Sequence, residues 1–204
     1  MALVSTALAL PIEWAVAGRP IAGEVESGDL HVVEPFEGGV LVGVIDGLGH
    51  GPAAAQAARD AAALIRTMPA EPVDTIIRRC HDDQRGARGV VLSLASFRQG
   101  PAQLSFCGIG NVDGLLLRAR GAELQRQALP SRGGVVGSHM PSPRVETFAL
   151  VVGDVVLLTT DGIRQGYAAE LDLSADTAAL ATTICERYAR PTDDALVVAL
   201  RWLG

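Results

Sequence analysis

The chain has 204 residues, 49% of them hydrophobic, which gives one compact domain enough apolar surface for a full core and leaves no room for a second module beside it. Net charge is −6, all 17 positive charges are arginine, and no basic stripe is present, which excludes a nucleic-acid binder. Three widely spaced cysteines, Cys80, Cys107 and Cys185, form neither a disulfide framework nor a CxxC metal site, so a reduced, cytoplasmic setting is expected.

The chain opens with MALVSTALALPIEW. The apolar run lacks a positively charged start and stops at Pro11, too soon to span a bilayer. It reads as a first β-strand, and no membrane association is expected. Asp29 to Glu34 reads as a short strand, and Val40 to Ile45, apolar on both faces, as a buried one. Pro52 stands where a helix would begin, and the helix runs to about Thr67. Gln56, Arg59, Asp60, Arg66 and Thr67 form one wet stripe, and the other face is nearly all alanine, so this helix can lie close to a sheet. A second helix is expected from Val73 to Asp83.

From Gly89 the pattern changes. Val90–Phe97, Gln103–Gly108, Val112–Arg118, Arg144–Val151 and Asp154–Thr160 are strand-like runs parted by Gly, Pro, Asn and Asp turns, as in an antiparallel meander. Ser174 can cap a last helix through about Ala189, and Ala195–Trp202 is a final strand. Strands and helices do not alternate, which disfavours a doubly wound parallel sheet and favours the α+β class, with helices on the outer faces of antiparallel sheet.

Carboxylates recur at strand ends, mostly beside glycine: Asp29 in SGD, Asp46 in VIDGLGHG, Asp161 in TTDG, and Asp193-Asp194 just before ALVVAL. One such aspartate is an ordinary turn former or cap. Several meeting at one sheet edge would repel one another, and burying them unpaired costs several kcal/mol each. Divalent cations remove that penalty, and oxygen-only ligands suit Mg²⁺ or Mn²⁺ rather than zinc. Two such ions about 3.5–4 Å apart form a hydrolytic centre in which a bridging water loses its proton near neutral pH and attacks a phosphate ester.

SGD (27–29), DGLGHG (46–51), TTDGI (159–163) and PTDDALVV (191–198), in this order, resemble the metal-dependent serine/threonine phosphatases of the type 2C (PPM) superfamily in their SpoIIE-like branch. GRPIAGE (18–24), CGIGNVDG (107–114), RGGVVG (132–137) and the lack of a sensor domain narrow the likeness to stand-alone RsbX-type stressosome phosphatases. The resemblance implies a four-layer αββα sandwich of two antiparallel sheets, formed by residues 1–204 as one domain. It implies that Asp46 bridges two metals, that the Gly47 carbonyl and Asp29 serve the second, and that Asp161 and Asp193 hold the first. Asp194 would stand behind these ligands.

Position 48, where eukaryotic relatives carry a histidine, is Leu48 here. His50 is either a proton donor to the leaving group or a polar residue at the helix start. Arg19 is either a phosphate-holding fork or a surface residue before a turn. The expected activity is hydrolysis of phosphoserine or phosphothreonine on STAS-domain or other regulators of a partner-switching system, by a protein favoured to be monomeric. The alternatives are a phosphoprotein-binding pseudophosphatase and a small-phosphoester phosphatase. Cys80-His81-Asp82-Asp83 is read as a solvated helix end, Arg85–Gly89 as a positive rim or a flexible turn, and Gly108–Asn111 as no nucleotide loop.

Overall fold

The computed structural model describes residues 10–121 and 123–204. The opening apolar run falls largely outside the described residues. The strand that is described there, β1, is Ile12–Arg19. In chain order follow β2 (Asp29–Phe36), β3 (Gly39–Gly47), α1 (Gly51–Arg66), α2 (Val73–Asp83), β4 (Val90–Arg98), β5 (Gln103–Ile109), β6 (Asp113–Arg120), β7 (Glu123–Leu129), β8 (Ser131–Arg132), β9 (Glu146–Ala149), β10 (Val155–Thr159), α3 (Thr177–Tyr188) and β11 (Ala195–Trp202).

Two sheets form. One has the order β1-β11-β10-β6-β7; the other runs β2-β3-β4-β5-β8, with β9 pairing β5. All pairings are antiparallel except the short parallel contact of β8 with β5. Side-chain alternation builds the layers, since neighbours along a strand face opposite ways. On β3, Val40, Val42 and Val44 point into the core between the sheets, together with Phe97, Phe106, Leu158 and Val198. Leu41 and Ile45 point outward against Ala58, Ala61, Ile65 and Ile76 of the helices. On the far side, Leu157, Val197 and Ala199 meet Leu180, Ala181 and Ile184 of α3. The result is the expected α+β sandwich, helix–sheet–sheet–helix.

The alanine face of α1 is buried from Ala54 to Ala62. It lies so close to β3 that a Cβ on Gly47 would fall 2.1 Å from the Ala54 carbonyl oxygen. Two expectations are corrected. The cap of α3 is Asp176, whose carboxylate accepts from the Ala179 N–H at 2.7 Å; Ser174 instead donates to Asp172. The meander also contains a strand that the pattern did not reveal, β7, whose residues ELQRQAL are exposed except at Leu124 and Leu129.

Candidate metal centre

Asp29 opens β2 and Asp46 nearly ends β3, and the antiparallel register sets them directly opposite each other. Asp161 follows the end of β10, and Asp193 precedes β11, the neighbour of β10 in the other sheet. Strand ends of both sheets therefore bring Asp29, Asp46, Asp161 and Asp193 to one edge of the sandwich. Each of these carboxylates raises the proton affinity of Asp46.

A buried hydroxyl joins the sheets at this edge. Thr160 Oγ1 donates to Asp29 Oδ2 at 2.7 Å and accepts from the Leu196 N–H at 2.9 Å. Asp194 is buried and acts on the backbone: Oδ1 accepts from Ile21 N–H and Oδ2 from Gly28 N–H, each at 2.7 Å. It thereby holds the 21–28 connection that delivers Asp29. Two glycines permit the close approach. A Cβ on Gly162 would lie 1.7 Å from the Asp194 carbonyl oxygen, and one on Gly28 would lie 3.3 Å from the Gly47 carbonyl oxygen.

Electrostatics set this edge apart. Burial, then the neighbouring carboxylates, push Asp46 up to about 8. Burial pushes Asp29 up to about 7, with Asp194, Asp161 and Asp193 adding to the shift against the opposing Thr160 bond. Asp161 is also raised, first by burial and next by Asp193; Arg190 and the Asn111 amide pull it back. Among the described residues, no three His, Cys, Asp or Glu side chains close tightly enough to cage an ion unaided. The donor set is nonetheless four carboxylates and a backbone carbonyl at a crowded, half-buried edge, a hard-oxygen set suited to Mg²⁺ or Mn²⁺. A divalent cation there would offset the burial and the repulsion that raise Asp29 and Asp46.

The remaining candidates sit around this group. His50 occupies the N-cap position of α1 without capping it; its Nδ1 pairs with Glu24 Oε1 at 2.9 Å rather than with an aspartate. Arg19 donates to the Arg190 carbonyl at 3.0 Å. Arg190 is exposed, and its own N–H donates to the Gly162 carbonyl at 2.7 Å, next to Asp161. From the Arg85–Gly89 turn, Arg88 donates to the Leu48 carbonyl and covers Gly49, so a positive group does rim the loop after Asp46.

Sequence reasoning missed Asn111 and Thr160. Asn111 Nδ2 donates to Asp161 Oδ2 at 2.6 Å. It is the chain's only asparagine, at the tip of a strand-to-strand turn, and that was the available signal. Buried Cys80 and Cys107 are pushed up to about 12 and about 11 by desolvation, which keeps both thiols inert. His81 accepts from the Gly137 N–H at 3.0 Å and belongs to the packing of α2.

A sandwich of two antiparallel sheets with acidic strand ends at one edge defines a PPM-type phosphatase. The chain belongs to the SpoIIE family: the model of stage II sporulation protein E matches residues 37–203. It is similar to phosphoserine phosphatase RsbX of Bacillus subtilis (strain 168), with 26% identity over 141 residues, 69% of each chain. A solved chain of the bacterial stressosome, described as a modular system adapted to control secondary messenger signalling, superposes with a TM-score of 0.84 and 28% identity, covering 93% of this chain and 99% of that one. RsbX in complex with magnesium superposes with a TM-score of 0.81 and 20% identity, over 93% of this chain and 94% of its own. No helix among the described residues is long and apolar enough to cross a membrane.

Proposed function

We propose that this protein is a cytoplasmic, Mn²⁺- or Mg²⁺-dependent phosphatase that hydrolyses phosphoserine or phosphothreonine on regulators of a bacterial partner-switching stress pathway, STAS-domain proteins foremost. The observation that carries it is the meeting of Asp29, Asp46, Asp161 and Asp193 from both sheets at one edge. Asp46, with the other three around it, would serve both ions of a metal pair; the Gly47 carbonyl and Asp29 would hold one ion, Asp161 and Asp193 the other. Bound there, divalent cations supply an acidified water and a clamp on phosphoryl oxygens.

The chain's own residues provide the rest. Thr160 fixes the Asp29 carboxylate, Asn111 fixes Asp161, and Asp194 holds the loop behind Asp29. Arg19 steadies the backbone of Arg190, whose charge acts on Asp161, and the two arginines are the candidates to meet an arriving phosphate. His50, kept in place by Glu24, is the candidate proton donor to the leaving serine oxygen. The likeness to RsbX and to a stressosome chain supports the substrate class.

The test is phosphate release from an aryl phosphate and from a phosphoserine protein, with Mn²⁺ and with chelator, for the wild type and Asp46→Asn. Mn²⁺-dependent release that the substitution abolishes is the expected result. A folded wild type that releases nothing from either substrate would sink the proposal and leave a phosphoprotein-binding module.

A further inference from the structure

Beside the carboxylate edge a cleft of about 480 Å³ opens between the β6–β7 pair and the turn after Asp161. Its apolar lining includes Leu115 and Ala128, which are cross-strand partners, with Leu129 and Tyr167. Gly114 lets its cross-strand partner Leu129 sit close, since a Cβ would fall 2.8 Å from the Leu129 Cβ. The rim is polar: Asn111, Asp113, Ser131 and Gln165.

Two connections join this cleft to the metal centre. Asn111 lines the cleft and donates to Asp161 at 2.6 Å. Gln165, four residues beyond Asp161 on the same turn, donates across the rim to Asp113 at 3.3 Å. Among the described residues the only charged side chain in the lining is Asp113, an acid, which repels a phosphoryl group. The apolar floor of Leu115, Ala128, Leu129 and Tyr167 favours an apolar side chain. A volume in the ordinary range for ligand sites, roughly 300–1,000 Å³, with an apolar floor and a few polar groups at the rim, fits a short stretch of polypeptide.

We infer that this cleft is the subsite for the segment flanking the phosphoserine of a protein substrate, taking one apolar side chain of that segment against Leu115, Ala128, Leu129 and Tyr167. The inference rests on reading the carboxylate edge as a phosphatase centre. It divides recognition in two: the acidic, metal-holding edge takes the phosphate, and the adjoining cleft reads its sequence neighbour. An apolar side chain seated in such a pocket changes rates by roughly 10–200-fold.

Ala128→Trp fills the cleft from an exposed strand position, where an aromatic residue suits the β conformation. Gln125→Trp, on the same strand and outside the cleft, is the control. The substrates are an aryl phosphate and a panel of phosphoserine peptides with Leu, Gly, Asp or Arg fixed at each neighbouring position in turn. The wild type is expected to prefer Leu over Gly at one position, by roughly tenfold or more in kcat/KM. Ala128→Trp removes that preference; Gln125→Trp keeps both the preference and the aryl phosphate hydrolysis of the wild type.

The inference is overturned by peptide rates indifferent to the flanking residue, by a preference for Asp, or by an Ala128→Trp enzyme that keeps the Leu preference. A second measurement does not need turnover: fluorescence anisotropy of the labelled Leu and Gly peptides in chelator. A wild type that binds the Leu peptide more tightly, and loses this in Ala128→Trp, yet releases no phosphate, upholds the subsite and overturns the phosphatase. Mn²⁺-dependent aryl phosphate release, with no peptide preference in rate or binding, does the reverse.

Discussion

Strand β10 has an aspartate at either end, and the two live in opposite circumstances. Asp154, just before it, is 2% exposed and fully answered: Arg118 grips it with Nε at 2.7 Å and Nη2 at 2.6 Å, and the Val151 N–H adds a bond at 2.8 Å. Asp161, just after it, has one amide donor, Asn111, and faces Asp193 across the edge. Both follow or precede apolar runs beside glycine, so their immediate sequence settings, VGDV and TDGI, look alike. What separates a structural aspartate from one proposed to hold a metal is its company in space. An acid matched to a cation stabilises the fold, whereas acids matched to each other need an ion.

Exchanging or removing these groups tests that distinction. Asp46→Asn should have the largest effect, cutting metal-dependent phosphate release about a thousandfold or more, roughly 4 kcal/mol in barrier, with circular dichroism unchanged. Activity within tenfold of wild type would place the reacting centre elsewhere. Asp154→Ala should do the opposite. Loss of the carboxylate strands Arg118, whose side chain is 21% exposed, and should lower stability to urea by about 3 kcal/mol, leaving Mn²⁺ affinity per folded molecule intact. A smaller cost than 1 kcal/mol would show that water already serves that arginine.

Asn111→Ala should loosen Asp161 without touching the core and weaken Mn²⁺ binding by roughly 10–100-fold, measured by calorimetric titration. An unchanged affinity would mean that the amide orients nothing. The last effect is one of pH. Asp29 and Asp46, at about 7 and about 8 when folded against 3.8 in a free chain, make the folded state bind more protons than the unfolded one across that interval. Their contribution to stability, complete below about pH 4, is lost as the pH rises to about 8. In chelator, the melting temperature of Asp46→Asn relative to wild type should therefore climb between those limits, and Mn²⁺ should narrow the gap. A difference that stays flat with pH would mean that neither burial nor the neighbouring acids raise Asp46.

Much of this architecture is legible in the sequence. The apolar run Gly39–Ile45 marks a strand packed on both faces, and the alanine face of α1 foretells its close seat on β3. β7 was hidden because it is the edge strand of its sheet: ELQRQAL buries little and carries no two-faced apolar pattern. Ser174 and Asp176 both qualify as caps by residue type, and the chain places the helix start by packing that the local sequence does not encode. At the metal centre the acidic residues stand out by their strand-end repetition. Thr160 and Asn111 stand out less: a threonine after a strand is commonplace and gains Asp29 only where the two sheets meet, and the lone asparagine gains Asp161 only through the pairing of β6 with the distant β10.

The hydroxyl bridge from Thr160 to Asp29 spans 131 residues of chain, and the Asp194 bond to Gly28 spans 166. Contacts so remote along the chain are expected to form late, once the first and last thirds of the polypeptide have met. An ion seated on them would then have little to hold in the folding transition state. Added Mn²⁺ should leave the refolding rate nearly constant and slow unfolding instead, so that the cation acts as a latch on the finished sandwich rather than a nucleus for it.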